Sequence, residues 1–296
     1  MNKGHIKIAL ALLSVACYMQ NIAFAIGFFS NTNSLNTEDV NEFPIAPREA
    51  KQAMDIMTEV LYHAQKHAVH TDDYQPYSKE NEEPMLYFKR VNNTDIGKLE
   101  LTIPNPNNYD DVVNMIWDLN GQKKFNDTFI KGTLSRIYDP NLVILQHRYT
   151  SPIKTWQVYY YALANKVELS KDETAILLVS SDMNDHYGDR IKKYVNPIVE
   201  SARSFKPDVR SQEDIRKGKA FKIFVNFAAF FVKKEADCVK VTYVSSFELN
   251  FSSRYPNHMI RKLVAARILN VIKLKDAFKS NIFISMWNSL KSWQLF

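Results

Sequence analysis

Histidine and carboxylate side chains that could do chemistry are few and poorly spaced in this chain. His63 and His67 lie four residues apart, a helical spacing at which two imidazoles can share a metal ion. No glutamate completes an HExxH arrangement, so the alternative is that both are solvated polar positions. The sequence also lacks GxSxG, CxxC, GxGxxG and GxxxxGK[ST] patterns. We therefore expect neither catalysis nor a cofactor.

Aromatic side chains with polar tips are a more informative group. The chain contains 15 Tyr and 18 Phe but 7 Gly. Tyr159, Tyr160 and Tyr161 follow one another in a segment that is largely apolar on both alternating faces. A tyrosine presents an apolar ring and a hydroxyl, which suits a wall that holds acyl chains and bonds to a polar headgroup. The alternative is an ordinary core packed on both sides.

A second segment, from Lys219 to Phe231, is also apolar on both faces. One alternating set in it consists of Phe221, Ile223, Val225, Phe227, Ala229 and Phe231. A strand in a sheet with one solvated face alternates cleanly between apolar and polar residues. This segment is therefore predicted to be a strand that is covered on both sides.

Arg148 stands out in the predicted strand Leu142–Thr150, where it shares one face with Leu142, Ile144 and Gln146. A buried guanidinium is costly unless it is paired, and a cavity would let it meet a phosphate or a carboxylate. The alternative is that Arg148 lies near the strand end in solvent.

Hydrophobic periodicity predicts the elements that position these residues. A helix begins near Pro47, two strands and a short helix at Asp110–Leu119 follow, and at least six more strands precede a C-terminal helix at Asn257–Ser280. The connections between the later strands are short, which favours antiparallel neighbours. The order indicates an α+β fold in which the helices are segregated from an antiparallel sheet.

The predicted C-terminal helix is amphipathic. Its apolar positions recur at spacings of three and four and are Ile260, Leu263, Val264, Ile268, Val271, Leu274 and Phe278. Its cationic positions are Arg261, Lys262, Arg267, Lys273, Lys275 and Lys279. The apolar stripe must be buried, and the apolar strands upstream are its obvious partner. We hypothesise that a lipid lies between the helix and these strands.

The N-terminus has the pattern of a secretory signal peptide. Lys3 and Lys7 precede an apolar run of moderate length, and Ala23 to Ala25 form an A-x-A cleavage site. An uncleaved N-terminal anchor is the alternative. Loss of the two lysines lowers the formal net charge from +6 to +4, which permits attraction to anionic membranes and does not call for nucleic acid.

These patterns divide the chain into a signal peptide at residues 1–25, a flexible leader at 26–46, a folded domain at 47–280 and an apolar tail of unknown role at 281–296. After cleavage Cys238 is the remaining cysteine, so we expect no intrachain disulfide.

Three blocks of sequence resemble the fam-a proteins of malaria parasites, which are similar to StAR-related lipid-transfer (START) domains. The blocks run from Arg148 to Asp182, from Tyr194 to Lys234 and from Tyr255 to Phe278. The resemblance implies a helix-grip fold, in which a curved antiparallel sheet surrounds a tunnel closed by a long C-terminal helix. Many START domains carry an Arg-Asp pair at the strand that here begins Thr155-Trp-Gln-Val-Tyr, and this strand lacks it.

The resemblance also implies a function and a setting. We expect the protein to bind a single glycerophospholipid, with phosphatidylcholine as the leading candidate, and to transfer it between membranes. It would contact membrane surfaces transiently as a monomer, without binding nucleic acid. The expected location is secreted by a blood-stage parasite, in the parasitophorous vacuole or exported to the host erythrocyte.

Nine residues carry this hypothesis. The predicted tunnel lining consists of Tyr160, Phe227, Tyr243, Leu263, Val264 and Ile268. Arg148 is the predicted headgroup contact. Lys262 and Arg267, which we place on the outer face of the C-terminal helix, are predicted to hold that helix at an anionic membrane.

Two other functions remain as alternatives. A secreted parasite interaction or surface protein could use the same fold with a filled interior and without lipid transfer. A lipid-modifying hydrolase would need a nucleophile and a base inside the pocket, and the sequence suggests neither.

Overall fold

The computed structural model describes residues 46–69, 72–77, 85–91, 93–151, 156–187, 193–250 and 256–279. The predicted signal peptide, nearly all of the predicted leader and the apolar tail lie outside the described residues. Among the helices of the described ranges, none has the combination of length and hydropathy that crossing a bilayer requires.

The first helix, α1, spans Pro47–Val69, which confirms the helix predicted from Pro47. Proline is tolerated at this first position because its missing N–H would have no partner within the helix. The buried side of α1 carries Ala53, Ile56, Met57, Val60, Ala64 and His67. These residues pack against strands of the sheet described next.

In the described chain, ten strands form one sheet. They are β1 Gln75–Pro76, β2 Leu86–Val91, β3 Thr94–Pro104, β4 Phe129–Asp139, β5 Leu142–Thr150, β6 Gln157–Ser170, β7 Glu173–Val179, β8 Ala220–Lys222, β9 Phe224–Lys234 and β10 Cys238–Glu248. Their order is β1-β2-β3-β10-β9-β7-β6-β5-β4. The short strand β8 pairs with β6 in parallel, and every other pair is antiparallel. The predicted α+β fold with an antiparallel sheet is confirmed.

Three more α-helices are α2 Tyr109–Trp117, α3 Glu213–Arg216 and α4 Asn257–Leu269. Short 3-10 helices occupy Pro106–Asn108, Gly121–Lys124 and Ser201–Ser204. After α4 the chain makes a 3-10 turn at Asn270–Lys273 and is helical again at residues 274–279. The single helix predicted at Asn257–Ser280 therefore contains a tighter segment in its middle.

Both faces of the sheet are covered, as the two-sided apolar strands predicted. We call the face that packs against α2 and α4 the inner face, and the face that packs against α1 and residues 193–216 the outer face. The inner core includes Leu145, Ala164, Leu178, Phe230, Val264 and Ile268. The outer core includes Ile56, Val60, Ile144, Leu177, Phe205 and Phe227.

A β-bulge at Asn226 changes which residues of β9 face inward. The register with β10 passes from Phe227 opposite Ser246 to Val225 opposite Phe247, so Asn226 has no opposite residue. Its buried side chain accepts a hydrogen bond from the hydroxyl of Tyr194 at 2.7 Å. The bulge separates Val225, on the inner face, from Phe227, on the outer face. The uninterrupted alternation predicted for this segment is therefore wrong.

Glycines allow two close approaches around the inner core. A Cβ atom on Gly132 of β4 would overlap the backbone carbonyl of Leu119, whereas a Cβ atom on Gly97 of β3 would meet the tip of the Ile268 side chain. A side chain can rotate away, but a backbone carbonyl that belongs to a packed turn cannot. The two glycines therefore differ in how well they tolerate substitution.

We predict that Gly132→Ala lowers the free energy of unfolding by about 1–3 kcal/mol, the usual cost of overpacking. Gly97→Ala should cost less, because Ile268 can adjust. Denaturant unfolding of the two variants and the wild type measures the difference. Equal losses in both variants would contradict the assignment of the Leu119 carbonyl as the obstacle.

Candidate functional site

Polar and aromatic side chains gather in the inner core beneath α4. His147 and Tyr149 come from β5, Tyr160 from β6 and Tyr243 from β10, and all four are buried. Arg267 reaches them from α4. We call these five residues the inner polar cluster. Three strands and the C-terminal helix thus place hydroxyl, imidazole and guanidinium groups in surroundings that are otherwise apolar.

Hydrogen bonds connect the members of the cluster that the sheet contributes. The Tyr160 hydroxyl lies 2.9 Å from His147 Nδ1, and the Tyr149 hydroxyl lies 3.3 Å from the Tyr160 hydroxyl. Tyr149 also donates to the side-chain oxygen of Gln122 at 3.0 Å. Gln122 belongs to the 3-10 helix Gly121–Lys124, so this turn closes one side of the cluster.

The guanidinium of Arg267 lies over aromatic rings. Its central carbon is 4.0 Å from the ring centre of Tyr149, 4.9 Å from that of Phe247 and 5.4 Å from that of Tyr160. The negative face of each ring attracts the cation. Arg267 therefore lies over the rings of the inner core, with its side chain partly exposed.

The charge state of the cluster follows from burial and from Arg267. Burial lowers the pKa of His147 to about 3, and the nearby charge of Arg267 acts in the same direction, so the imidazole is neutral at physiological pH. Burial raises the pKa of Tyr160 well above its ordinary value and that of Tyr243 to about 12. At neutral pH His147, Tyr160 and Tyr243 therefore add no charge beside the guanidinium of Arg267.

Two small cavities adjoin the cluster. One, of about 40 Å³, is lined by residues that include Tyr149, Tyr160, Tyr243 and Arg267. The other, of about 20 Å³, is lined largely by apolar residues, including Leu145, Ala164 and Ile176. A water molecule needs roughly 10–15 Å³, whereas small-molecule sites measure about 300–1,000 Å³. The predicted open tunnel is therefore wrong for this conformation, because side chains of the inner core fill it.

Four predicted lining residues do face the inner core: Tyr160, Tyr243, Val264 and Ile268. Their contact with a lipid stays a prediction. Leu263 does not face the inner core, because 38% of its surface is exposed. It precedes Val264 by one residue, which is about 100° around a helix, so the two cannot share a face. The placement of Leu263 in the lining is wrong.

Phe227 was also predicted to line the tunnel, and it lies on the outer face instead. The bulge at Asn226 reverses its direction, and its ring stacks on His67 of α1 with centroids 6.0 Å apart. His67 is itself buried, and its Nδ1 lies 2.9 Å from the Tyr74 hydroxyl, so it is not a solvated position. Within the described ranges, no three His, Cys, Asp or Glu side chains lie close enough to hold a metal ion.

Arg148 is buried on the outer face, where it pairs with Asp214 of α3. Its two terminal nitrogens donate to the two carboxylate oxygens at 2.6 and 2.8 Å. These bonds lower the pKa of the Asp214 carboxyl. The predicted headgroup contact and the alternative of a solvated strand end are both wrong. Arg148 fastens the segment around α3 to β5.

The two predicted membrane-docking residues differ in position. Lys262 is exposed on α4, as expected, while its contact with a membrane stays a prediction. Arg267 faces inward, so its predicted outer placement is wrong. It follows Val264 by three residues and precedes Val271 by four, which puts it on the buried stripe of the helix. This spacing could be read from the sequence, but the charge of Arg267 led us to expect an exposed position.

Sequence reasoning missed three residues beside Arg267. His147 and Tyr149 alternate with Arg148 and share the inner side of β5 with Leu145. Because successive side chains of a strand point to opposite faces, the sequence was sufficient to predict that His147 and Tyr149 lie opposite to Arg148. Gln122 comes from a turn without periodicity, so no pattern pointed to it.

Ion pairs hold α4 against the sheet at its edges. Arg261 donates to both carboxylate oxygens of Asp95 at 2.8 and 2.9 Å, and these bonds raise the pKa of Arg261. Lys273, after α4, donates to Asp127 at 2.5 Å. The side chains in both pairs are partly or largely exposed, so each contributes about 0–1 kcal/mol. The apolar contacts beneath α4 must therefore supply most of its attachment.

Comparison with solved structures identifies the class of fold. No protein-family model and no curated protein matches the chain. Human STARD10 superposes with a TM-score of 0.52 at 10% identity, over 79% of this chain and 83% of that one. Human StAR-related lipid transfer protein 5 superposes with a TM-score of 0.56 at 8% identity, over 78% of this chain and 98% of that one. The human StarD13 (DLC2) lipid transfer and protein localization domain superposes with a TM-score of 0.50 at 12% identity, over 74% of this chain and 95% of that one.

The chain therefore has a START-like helix-grip fold, and the predicted fold class is confirmed. At identities this low the similarity concerns the fold alone. The resemblance to the fam-a proteins of malaria parasites is tested by none of these comparisons and stays a prediction.

The depressed pKa of His147 predicts a specific pH dependence of stability. Below pH 6.5, its ordinary value, the unfolded chain binds a proton that folded His147 does not bind until about pH 3. Stability should therefore fall as the pH drops through this range, by up to about 1.4 kcal/mol per pH unit from this residue. His147→Gln removes that component and should flatten the curve between pH 6.5 and 4. Denaturant unfolding at several pH values measures it, and parallel curves for the two proteins would refute the assignment.

Proposed function

We propose that the protein binds one amphipathic lipid between the inner face of the sheet and α4, and that it transfers this lipid between membranes. The inner polar cluster carries the proposal. A core that serves packing alone buries an arginine together with an acidic partner, as Arg148 is buried with Asp214, whereas this cluster places an arginine over aromatic rings without an acid. The START-like fold supports the same function, since the names of the human neighbours describe lipid transfer. We propose a carrier and not an enzyme.

Binding requires α4 to move, because the two cavities that the described residues form between the sheet and α4 are too small for a lipid. Five apolar side chains anchor α4 and its continuation: Val264, Ile268, Val271, Leu274 and Phe278. At about 1.5–3 kcal/mol for each buried side chain, exposing all five to water costs about 7–15 kcal/mol as an upper estimate. The helix therefore stays closed in water. A membrane lowers this cost because it offers the same side chains an apolar environment.

The outer side of α4 suits contact with such a surface. Met259 and Leu263 are 45% and 38% exposed, and Lys262 lies between them. Apolar side chains beside a lysine favour the boundary between headgroups and acyl chains, particularly of anionic membranes. This surface replaces the predicted pair Lys262 and Arg267, since Arg267 faces inward.

The proposed lipid is a glycerophospholipid, and phosphatidylcholine is the first headgroup to test. This headgroup is the one that the resemblance to fam-a proteins implies. The resemblance to fam-a proteins supports a monomer secreted by a blood-stage parasite, in the parasitophorous vacuole or the host erythrocyte. The pattern of a signal peptide at residues 1–25 supports secretion.

A second candidate function is a secreted interaction protein that uses the same fold. The small volume of the two cavities favours it, because a filled interior is what such a protein needs. A secreted interaction protein does not require the inner polar cluster, so we rank this function second.

Capture of lipid from vesicles distinguishes the two functions. The purified protein is mixed with phosphatidylcholine vesicles and re-isolated, and its bound lipid is extracted and quantified by mass spectrometry. We expect about one lipid per chain. An interaction protein with a permanently filled interior would return free of lipid.

A variant that fills the site tests its location. Ala228 is buried on the inner face and lines the larger cavity. We predict that Ala228→Leu lowers lipid capture about tenfold or more, because overpacking costs about 1–3 kcal/mol and 1.4 kcal/mol is a factor of ten. Ala236→Leu, at an exposed position between β9 and β10, is the matched control and should capture lipid normally. Equal capture by both variants would place the lipid elsewhere.

A further inference from the structure

Arg267 carries a positive charge that no acidic side chain among the described residues neutralises. In the described part of the chain, acidic partners pair with Arg90, Arg136, Arg148, Arg203 and Arg261. Arg267 has aromatic rings as its neighbours and no carboxylate within ion-pair distance among the same residues. Five other arginines of the described residues, two of them buried, thus have an acidic partner of the kind that Arg267 lacks.

Among the described residues, neither the helix that carries Arg267 nor the wall of the adjoining cavity offers it an acid. From Asn257 to Lys275 the sequence contains no Asp or Glu, and Asp127 is engaged by Lys273. The residues that line the 40 Å³ cavity also include no acid. The groups around it are hydroxyls, amides and rings, among them Gln122 and Asn126. The guanidinium of Arg267 has five N–H donors, and no anion is present in the wall of this cavity to accept from them.

The two cavities together have a polar end and an apolar end. They share four lining residues, Gln122, Phe125, Leu178 and Phe230. Beyond these shared residues, the larger cavity continues to Arg267 and the tyrosines. The smaller one continues to Ile116 and Trp117 of α2, and its wall also includes Asp118 and the neutral His147. An amphiphile that expanded both cavities would therefore meet a cation at one end and a mainly apolar wall without a cation at the other.

We propose that Arg267 binds the anionic group of the lipid, a phosphate or a carboxylate, and that the acyl chain runs past Leu178 and Phe230 towards α2. The inference rests on the proposed function and adds the headgroup chemistry and the orientation. The planar guanidinium matches two oxygens of either anion. The hydroxyls of Tyr149 and Tyr160, in the wall of the same cavity, can donate to the oxygens that remain.

The reverse orientation conflicts with the lining of the smaller cavity. There the anion would lie among Leu145, Ala164 and Ile176, where it would lose its hydration without gaining a cation. The acyl chain would meanwhile cover Arg267 and leave its charge without either water or a partner.

A competition experiment separates recognition in the interior from attraction to the membrane surface. Vesicles contain equal amounts of dioleoyl phosphatidic acid, oleic acid and dioleoylglycerol in a phosphatidylcholine matrix. Every lipid is thus offered by the same surface, so surface charge affects all of them equally. The protein is mixed with the vesicles and re-isolated, and the captured lipids are quantified by mass spectrometry. The ratio of anionic lipid to dioleoylglycerol reports the selectivity of the interior, and the masses distinguish phosphate from carboxylate ligands.

We expect the wild type to prefer anionic lipid about tenfold or more, since hydrogen bonds to a charged group are about twice as strong as those between neutral groups. Arg267→Gln should reduce this ratio towards one, and Arg267→Lys should retain part of it. Lys262→Gln, at an exposed position of the same helix, is the matched control. It should lower total capture without changing the ratio. Circular dichroism confirms that each variant is folded.

Three outcomes overturn the inference. A wild type that captures lipids without preference for an anion refutes it even if the Arg267 variants fail to fold. A preference that persists in Arg267→Gln refutes the role of this residue while leaving the proposed function intact. A wild type that captures no lipid at all removes the proposed function and the inference with it.

The orientation has its own test at the opposite end. Ala164 is buried and lines only the smaller cavity. Ala164→Leu should shift the captured lipids towards shorter acyl chains and leave the preference for an anion unchanged. Loss of that preference without a change in chain length would mean that the headgroup lies at the apolar end.

Discussion

The packing of α4 across the inner face of the sheet is the interaction on which the rest of the structure depends. Without it, Val264 and Ile268 and the strand residues beneath them would face water. The ion pairs at the edges of the helix are partly exposed, so they orient α4 more than they hold it. The same apolar contacts close the interior in water and must be replaced, by a membrane or by a lipid, whenever it opens.

The two faces of the sheet treat buried charge differently. On the outer face, Lys222 pairs with Asp185 at 2.9 Å, and Asp185 also accepts a hydrogen bond from Tyr159 at 2.9 Å. Arg148 has Asp214 in the same way. A buried charge with its partners in place requires nothing from outside the chain. On the inner face Arg267 has rings in place of an acid, which is why we place function there and structure on the outer face.

The sequence predicted the architecture well because long periodic segments determine it. The helix from Pro47 and the strands with two apolar faces are clear examples, since their patterns extend over many residues. The resemblance to START domains added the helix-grip arrangement, which periodicity alone does not specify. Neither argument could locate a bulge, so the face of Phe227 was predicted wrongly. A single inserted residue reverses every side chain beyond it.

The site was harder to predict than the fold, because charge was taken as a guide to exposure. Arg148 was expected in the cavity or in solvent and is buried on the outer face with an acid from a segment 66 residues away. Arg267 was expected on the outer side of α4, but it is partly buried over the rings of the inner core, as its spacing from Val264 indicates. A pairing between distant segments leaves no mark in a local pattern, whereas the position of Arg267 did leave one.

Movement of α4 tests the central claim most directly. Spin labels at Ala266→Cys, on the outer side of α4, and Thr102→Cys, on β3, in a Cys238→Ser background, report the separation of helix and sheet by pulsed electron paramagnetic resonance. We predict one narrow distance distribution in water and a second, longer distance when phospholipid vesicles are added. A distribution that vesicles leave unchanged, under conditions where the protein captures lipid, would contradict the account.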